Sequence, residues 1–253
     1  MSESMSGVDE IRPEEIEEEL SPSDEEVEYG LREFIGGAFS TDGKIFWKIK
    51  YNSRISYFLL FTAILGLVSG VASSIVMSKL HIVIVNAPSG TNVQQVKEIM
   101  ELFMKNPAVI VTSALFVSII LYLIGSLVIY LLGGGRMPFT SVMTAMGIVA
   151  IPQIVSGLLS VPLAISSPTI YLRLDFSNPQ AVGAEFRSVQ SSQINNFMAW
   201  IFIPWEALLV YMLFRKGMGL GSGRAVVLTI IAEVLRIIPQ ILQMLGLLGS
   251  SFI

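Results

Sequence analysis

In a chain this apolar, the residues able to do chemistry are the ionisable ones that fall inside its long uncharged runs: Glu206, Glu233 and Arg236. A charge at the centre of a bilayer costs about 2.5 to 3.5 kcal/mol on insertion scales, so each must face a protein interior and find a partner. Glu233 and Arg236 are three apart and share one face of a helix. Counted at about 1.5 Å per residue from Arg215 and Arg224, Glu206 and Arg236 sit roughly 14 and 18 Å deep, comparable depths. The spacing predicts a Glu206, Arg236, Glu233 cluster joining two helices. Such a cluster is either a proton or ion relay or an interhelical clamp that fixes packing. A relay needs further polar groups along a path, and the other apolar runs carry no charge, so the clamp is favoured.

Other chemistry is thinly represented. There is no cysteine, hence no disulfide, thiolate nucleophile or cysteine metal site, and one histidine, His81, rules out bis-histidine ligation. The glycine run GMGLGSGR (Gly217, Gly219, Gly221, Gly223) lacks the Lys-Ser/Thr and the preceding strand of a phosphate loop. It reads as a flexible linker, with Ser222 capping the next helix. Ser222 as a nucleophile fails because His81 belongs to the opposite membrane face. No metal-ligand spacing and no nucleic-acid motif occurs, so no catalytic residue, metal site, cofactor or nucleic-acid partner is predicted.

The elements that must hold these residues are set by the gaps between charges. The chain has 253 residues, 53% apolar and 14% charged, a composition for an integral membrane protein. Residues 55 to 78 are uncharged, about 36 Å as a helix against a hydrocarbon core of about 30 Å. Pro107 and Gly133 to Gly135 bracket a second span at 108 to 132. A third, 140 to 165, contains Pro152, where a kink is expected, or carbonyls opened for a ligand. The fourth, 196 to 214, carries Glu206, and the fifth, 225 to 248, carries Glu233 and Arg236. The fold class is therefore all-α, a membrane bundle of about five helices spanning residues 55 to 253. Gly66 and Gly70 form a small-xxx-small face for close helix packing.

With five spans, one side collects Lys44, Lys48, Lys50, Arg54, Arg136, Arg215, Lys216 and Arg224, and the other only Lys79, Lys97, Lys105, Arg173 and Arg187. The cationic side is cytoplasmic, which puts the N-terminus inside and the C-terminus outside. Residues 1 to 54 hold 14 acids against 6 bases. Residues 1 to 30, with acidic runs and no apolar stretch, read as a disordered cytoplasmic tail and leave no room for a cleaved signal peptide. Residues 31 to 54 interleave aromatics with cations, and Phe46, Trp47 and Lys48 are expected to anchor them at the headgroup layer. The loop after the first span contains an extended HIVIV and then an amphipathic stretch, with Val93, Val96, Ile99, Met100, Phe103 and Met104 on one face, expected to lie flat on the outer surface.

Three segments resemble the Yip family, the Ypt/Rab-interacting membrane proteins, and its prokaryotic branch in particular. They are GKIFWKI before the first span, GGGRMPFTSVMTAMGIVAIPQIVSGLL across the second-to-third junction, and FIPWEALLVYMLFRKGMGLGSGRAVVLTI from the fourth span into the fifth. The resemblance covers most of residues 40 to 245 and implies a five-span bundle with a cytoplasmic N-terminus. Eukaryotic members are membrane adaptors for Rab GTPases. This chain lacks their Asp-Leu-Tyr-Gly-Pro type of tail motif, with only Tyr29-Gly30 similar, so Rab binding is not carried over.

The expectation is a non-enzymatic scaffold or adaptor whose acidic tail contacts protein partners while the bundle sits among membrane lipids, alone or as a homo-oligomer. The alternative is a small-solute or ion transporter, or a subunit of one, that uses the intramembrane charges.

Overall fold

The computed structural model describes residues 27–87, 89–175, 177 and 194–244, the last stretch without the side chains of 194–200 and 237–244. In chain order the elements are α1 (Leu31–Gly37), α2 (Lys44–Tyr51), α3 (Ile55–Ser78), β1 (Leu80–Val85), α4 (Val93–Met104), α5 (Pro107–Leu132), α6 (Phe139–Val149), α7 (Ile151–Ser166), β2 (Ile170–Asp175), α8 (Ile194–Met212), a π-turn (Leu213–Gly217) and α9 (Ser222–Met244). The protein is mostly helical. Among the described residues, three helical stretches are long and apolar enough to cross a membrane: Ile55–Ser78, Pro107–Leu132, and α6 with α7 taken together, Phe139–Ser166. Residues 1–26, most of the acidic tail, lie outside the described residues, as do 178–193 and 245–253.

Local chemistry sets the helix ends. The Asn106 side chain accepts from the Ala108 and Val109 amides at the start of α5, where Pro107 has no N–H to satisfy. At the other end Gly134 and Gly135 take φ of +69° and +70°, left-handed angles that only glycine adopts freely. The third apolar stretch is divided at Ala150, and Pro152 stands in the first turn of α7.

Helices α3 and α5 cross closely because two glycines allow it. A Cβ on Gly66 would come 2.5 Å from Leu115 Cα, and one on Gly70 would come 2.8 Å from Val111 Cα. The small-residue face is thus occupied within the chain.

At the end of the bundle nearest the tail, a single core joins α1, α2, the start of α3, α6 and the π-turn. Phe34, Phe46, Ile49, Met137, Leu213 and Phe214 are all completely buried there. This corrects one part of the expectation for 31–54, the anchoring role of Phe46. Phe46 is no interfacial anchor; it sits beside Gly217 inside the protein, whereas Trp47 remains partly exposed and Lys48 pairs with Glu33 at 2.8 Å. The reason is periodicity. Ile45, Phe46 and Ile49 form one apolar face of α2, with Trp47, Lys48 and Lys50 turned away from it. The boundary at residue 30 also moves. Tyr29 is 2% exposed, and its hydroxyl donates to Asn52 O at 2.7 Å. Its ring stacks on Phe34 and meets Tyr57 edge-on, so the packed body includes Val27 and Tyr29.

The opposite end carries a feature beyond the helical expectation. β1 and β2 pair in parallel from Leu80 with Ile170 to Val85 with Asp175. Leu80, Ile82, Leu172 and Leu174 point to one face and are covered by Met77 of α3 and by Met100 and Met104 of α4. Lys79, at the end of α3, fastens this unit to the bundle. Its ammonium donates to Ala164 O, Ile165 O and Ser167 O at 3.1, 2.5 and 2.7 Å, carbonyls at the C-terminal end of α7, of which Ala164 O also accepts from Ser167.

Candidate functional site: a polar cluster between four helices

The side chain of Glu206 enters the bundle from α8 two residues beyond Pro204, on the face that packs against α7. It is 2% exposed. An ionised carboxylate in such a place needs donors on both oxygens. Oε2 receives the Gln153 amide of α7 at 2.7 Å. Oε1 receives the Tyr122 hydroxyl of α5 at 3.3 Å and the Arg236 Nη1 of α9. Arg236 also reaches back one turn, its Nη2 lying 2.7 Å from Glu233 Oε2. That contact pairs the charges but lacks hydrogen-bond alignment, and Arg236 Nε has no hydrogen-bond partner among the described residues.

The structure therefore brings Glu206, Glu233 and Arg236 together and adds two groups that the charge pattern does not reveal. Tyr122 is a polar aromatic inside an uncharged run, and such residues are common in cores, so nothing in the sequence singles it out. Gln153 follows Pro152, whose position in the sequence signals a role in α7, but as a site of opened carbonyls rather than as the neighbour of a donor to Glu206. With these two, four helices converge on one carboxylate instead of two. Chemically the arrangement holds charge. Glu206 has no oxygen left without a donor, and no group of three or more His, Cys, Asp or Glu able to hold a metal occurs among the described residues.

The other residues singled out by sequence stand apart from this centre. His81 is at the sheet end, its ring 5.7 Å from that of Tyr171. Ser222 is the first residue of α9, and its hydroxyl accepts from Arg215 Nη1 rather than capping the helix amides. The glycine run is a packed turn and not a loose linker: Met218 and Leu220 are buried, and Gly219 takes a left-handed φ of +64°.

Comparison with curated proteins gives no match, and neither does comparison with solved structures. The Yip1 domain family matches residues 37–242, more than four-fifths of the chain, from α1 to within three residues of the end of α9. The match takes in α2, the glycine turn after α5, the Pro152 region and all four helices that meet at Glu206. The chain belongs to the Yip1 domain family and is an integral membrane protein.

Proposed function

We propose that this protein is a non-enzymatic membrane scaffold or adaptor: a five-span bundle that anchors in the bilayer, with a cytoplasmic acidic tail that contacts partner proteins and the C-terminus outside. The observation that carries this reading is the saturation of Glu206. Its donors from α5, α7 and α9 make the intramembrane charges a joint between helices, and a joint leaves the bundle the role of a rigid anchor. α8 and α9, the remaining two spans of this reading, are 19 and 23 residues long, about 28 and 34 Å as helices. The tail-side end gathers most of the cations, which supports placing it in the cytoplasm.

The test is co-purification in mild detergent of the intact protein and of a form lacking residues 1–26. Partners recovered only with the intact chain support the adaptor reading. Proton or solute flux through the protein in proteoliposomes, abolished by Glu206→Gln, would overturn it in favour of transport.

A further inference from the structure

Charge is unbalanced at the tail-side end of the bundle. The acids described there are Glu28, Glu33 and Asp42, and each already faces a cation: Arg54 at 3.8 Å, Lys48 at 2.8 Å and Lys44 at 3.9 Å. Arg32, Lys50, Arg136, Arg215, Lys216 and Arg224 stand at the same end, on α1, α2 and the two turns packed beneath them and in the first turn of α9. They form no ion pair among the described residues. An open groove runs along this face between Thr41, Asp42, Gly43, Lys44, Trp47 and Lys216. Within it the Lys44 side chain is 83% exposed.

The only comparable excess of the opposite sign belongs to the same chain. Residues 1–26 hold eleven acids and a single base, Arg12. The described chain begins at Val27, which is buried against this end, so the acidic segment leaves the body at the rim of the basic face, whichever way the protein is inserted. We propose that residues 9–26 dock on this face, across the groove between Lys44 and Lys216, in place of the anionic headgroups that would otherwise neutralise it.

Three physical facts favour the tail as the occupant. Tethered at Val27, it is present at an effective concentration in the millimolar range, and no separate partner needs to be captured. Its reach, about 3.3 Å or more per extended residue, exceeds the breadth of a helix bundle. An acidic segment next to an anionic leaflet is repelled unless cations lie between them, and the basic residues of this end supply those cations. A protein that engages the tail must then displace it from Lys44 and Lys216, so it has to be cationic, and its arrival opens the groove.

The absence of cysteine allows a direct test on the full chain. Spin labels at Ser21→Cys, between the two acidic runs, and at Thr41→Cys, on the groove, give one distance in nanodiscs. At low ionic strength in neutral lipid, a narrow distribution is expected. It should be lost at about 0.5 M salt, where screening shortens to a few ångströms. It should also be lost at low salt in Lys44→Glu with Lys216→Glu, and kept in Lys97→Glu at the opposite end. A distribution indifferent to salt and to charge reversal overturns the proposal. So does loss of the narrow component when anionic lipid is added at physiological salt, since headgroups would then hold the face; its retention there supports the tail.

Discussion

The two ends of the bundle are built on opposite principles. At the tail-side end, short helices and turns close over a continuous aromatic core, with Phe34, Phe46 and Phe214 fully enclosed. At the sheet-side end, four aliphatic residues on two strands are covered by the end of α3 and by α4, and α4 leaves Leu102 and Phe103 67% and 64% exposed. One end is held by buried area, the other by one ammonium group and a six-residue strand pairing. Cooperative stability should therefore concentrate where the chain enters the bundle. The sheet end should open locally without unfolding the rest.

The largest test of that contrast is Phe46→Ala. Removing an enclosed phenyl ring costs about 3–5 kcal/mol when the site cannot collapse. Because α2, α6 and the π-turn share this ring's surroundings, the loss should appear as a lower global unfolding temperature in nanodiscs. A purely local change in α2 would break the comparison.

Next comes the joint between the two ends. Arg236→Met leaves Glu206 and Glu233 without their cation, and breaking a buried pair costs about 3 kcal/mol or more. Pairing it with Glu206→Gln should restore part of the loss, since Gln153 and Tyr122 can still hydrogen-bond an amide. Unchanged thermal stability in the single variant would sink the clamp.

The fold was more legible in the sequence than this site. Ile55–Ser78 is readable because Arg54 and Lys79 bracket an unbroken apolar run. Gly134 and Gly135 announce the end of α5. The clamp's three charges are conspicuous because a charge in a span is expensive. Tyr122 and Gln153 are uncharged, so their cost is too low to mark them. The burial of Phe46 was hidden for a different reason. Aromatics interleaved with lysines look alike whether the rings meet headgroups or a protein core, and only the packing of Gly217 and Met137 against α2 decides between the two. The pairing of β1 with β2 joins residues 90 apart through four helices, a contact that no local pattern encodes.

Lys79→Met addresses the weaker end. It leaves Ala164 O, Ile165 O and Ser167 O without their shared donor, a loss of about 1–3 kcal/mol. Faster amide exchange in β1 and β2 is expected, at an unchanged global unfolding temperature. Tyr29→Phe, at the stronger end, removes only the hydrogen bond to Asn52 O and should cost about 1 kcal/mol. The ring stays in place and keeps its contact with the Arg54 guanidinium, 5.3 Å from its centre. Burial pushes the Tyr29 hydroxyl up to about 12, against the opposing pull of Arg54, so alkali below that point should leave its hydrogen bond to Asn52 O in place.

Acid gives the smallest effect and the sharpest comparison, because among the described residues each end has one aspartate held in a local turn. Asp42 accepts from the Lys44 amide, which chiefly holds its carboxyl below the usual range, and from Ser40. Asp175 is held low first by the Ser177 hydroxyl and then by the Ser177 amide. In both cases the ionised form is favoured by folding. The stabilisation is fully present above the unfolded value of about 3.9 and is lost as pH falls through the lower folded one. Between neutrality and about pH 5 neither turn should change. Below about pH 4 both carboxylates lose their donors, and amide exchange at Lys44 and Ser177 should rise together. The extent of opening should differ: around Asp42 it stops at the enclosed face of α2, whereas around Asp175 it spreads along β2 toward Ile170. Equal spreading at both ends would mean that the aromatic core does not confine local opening.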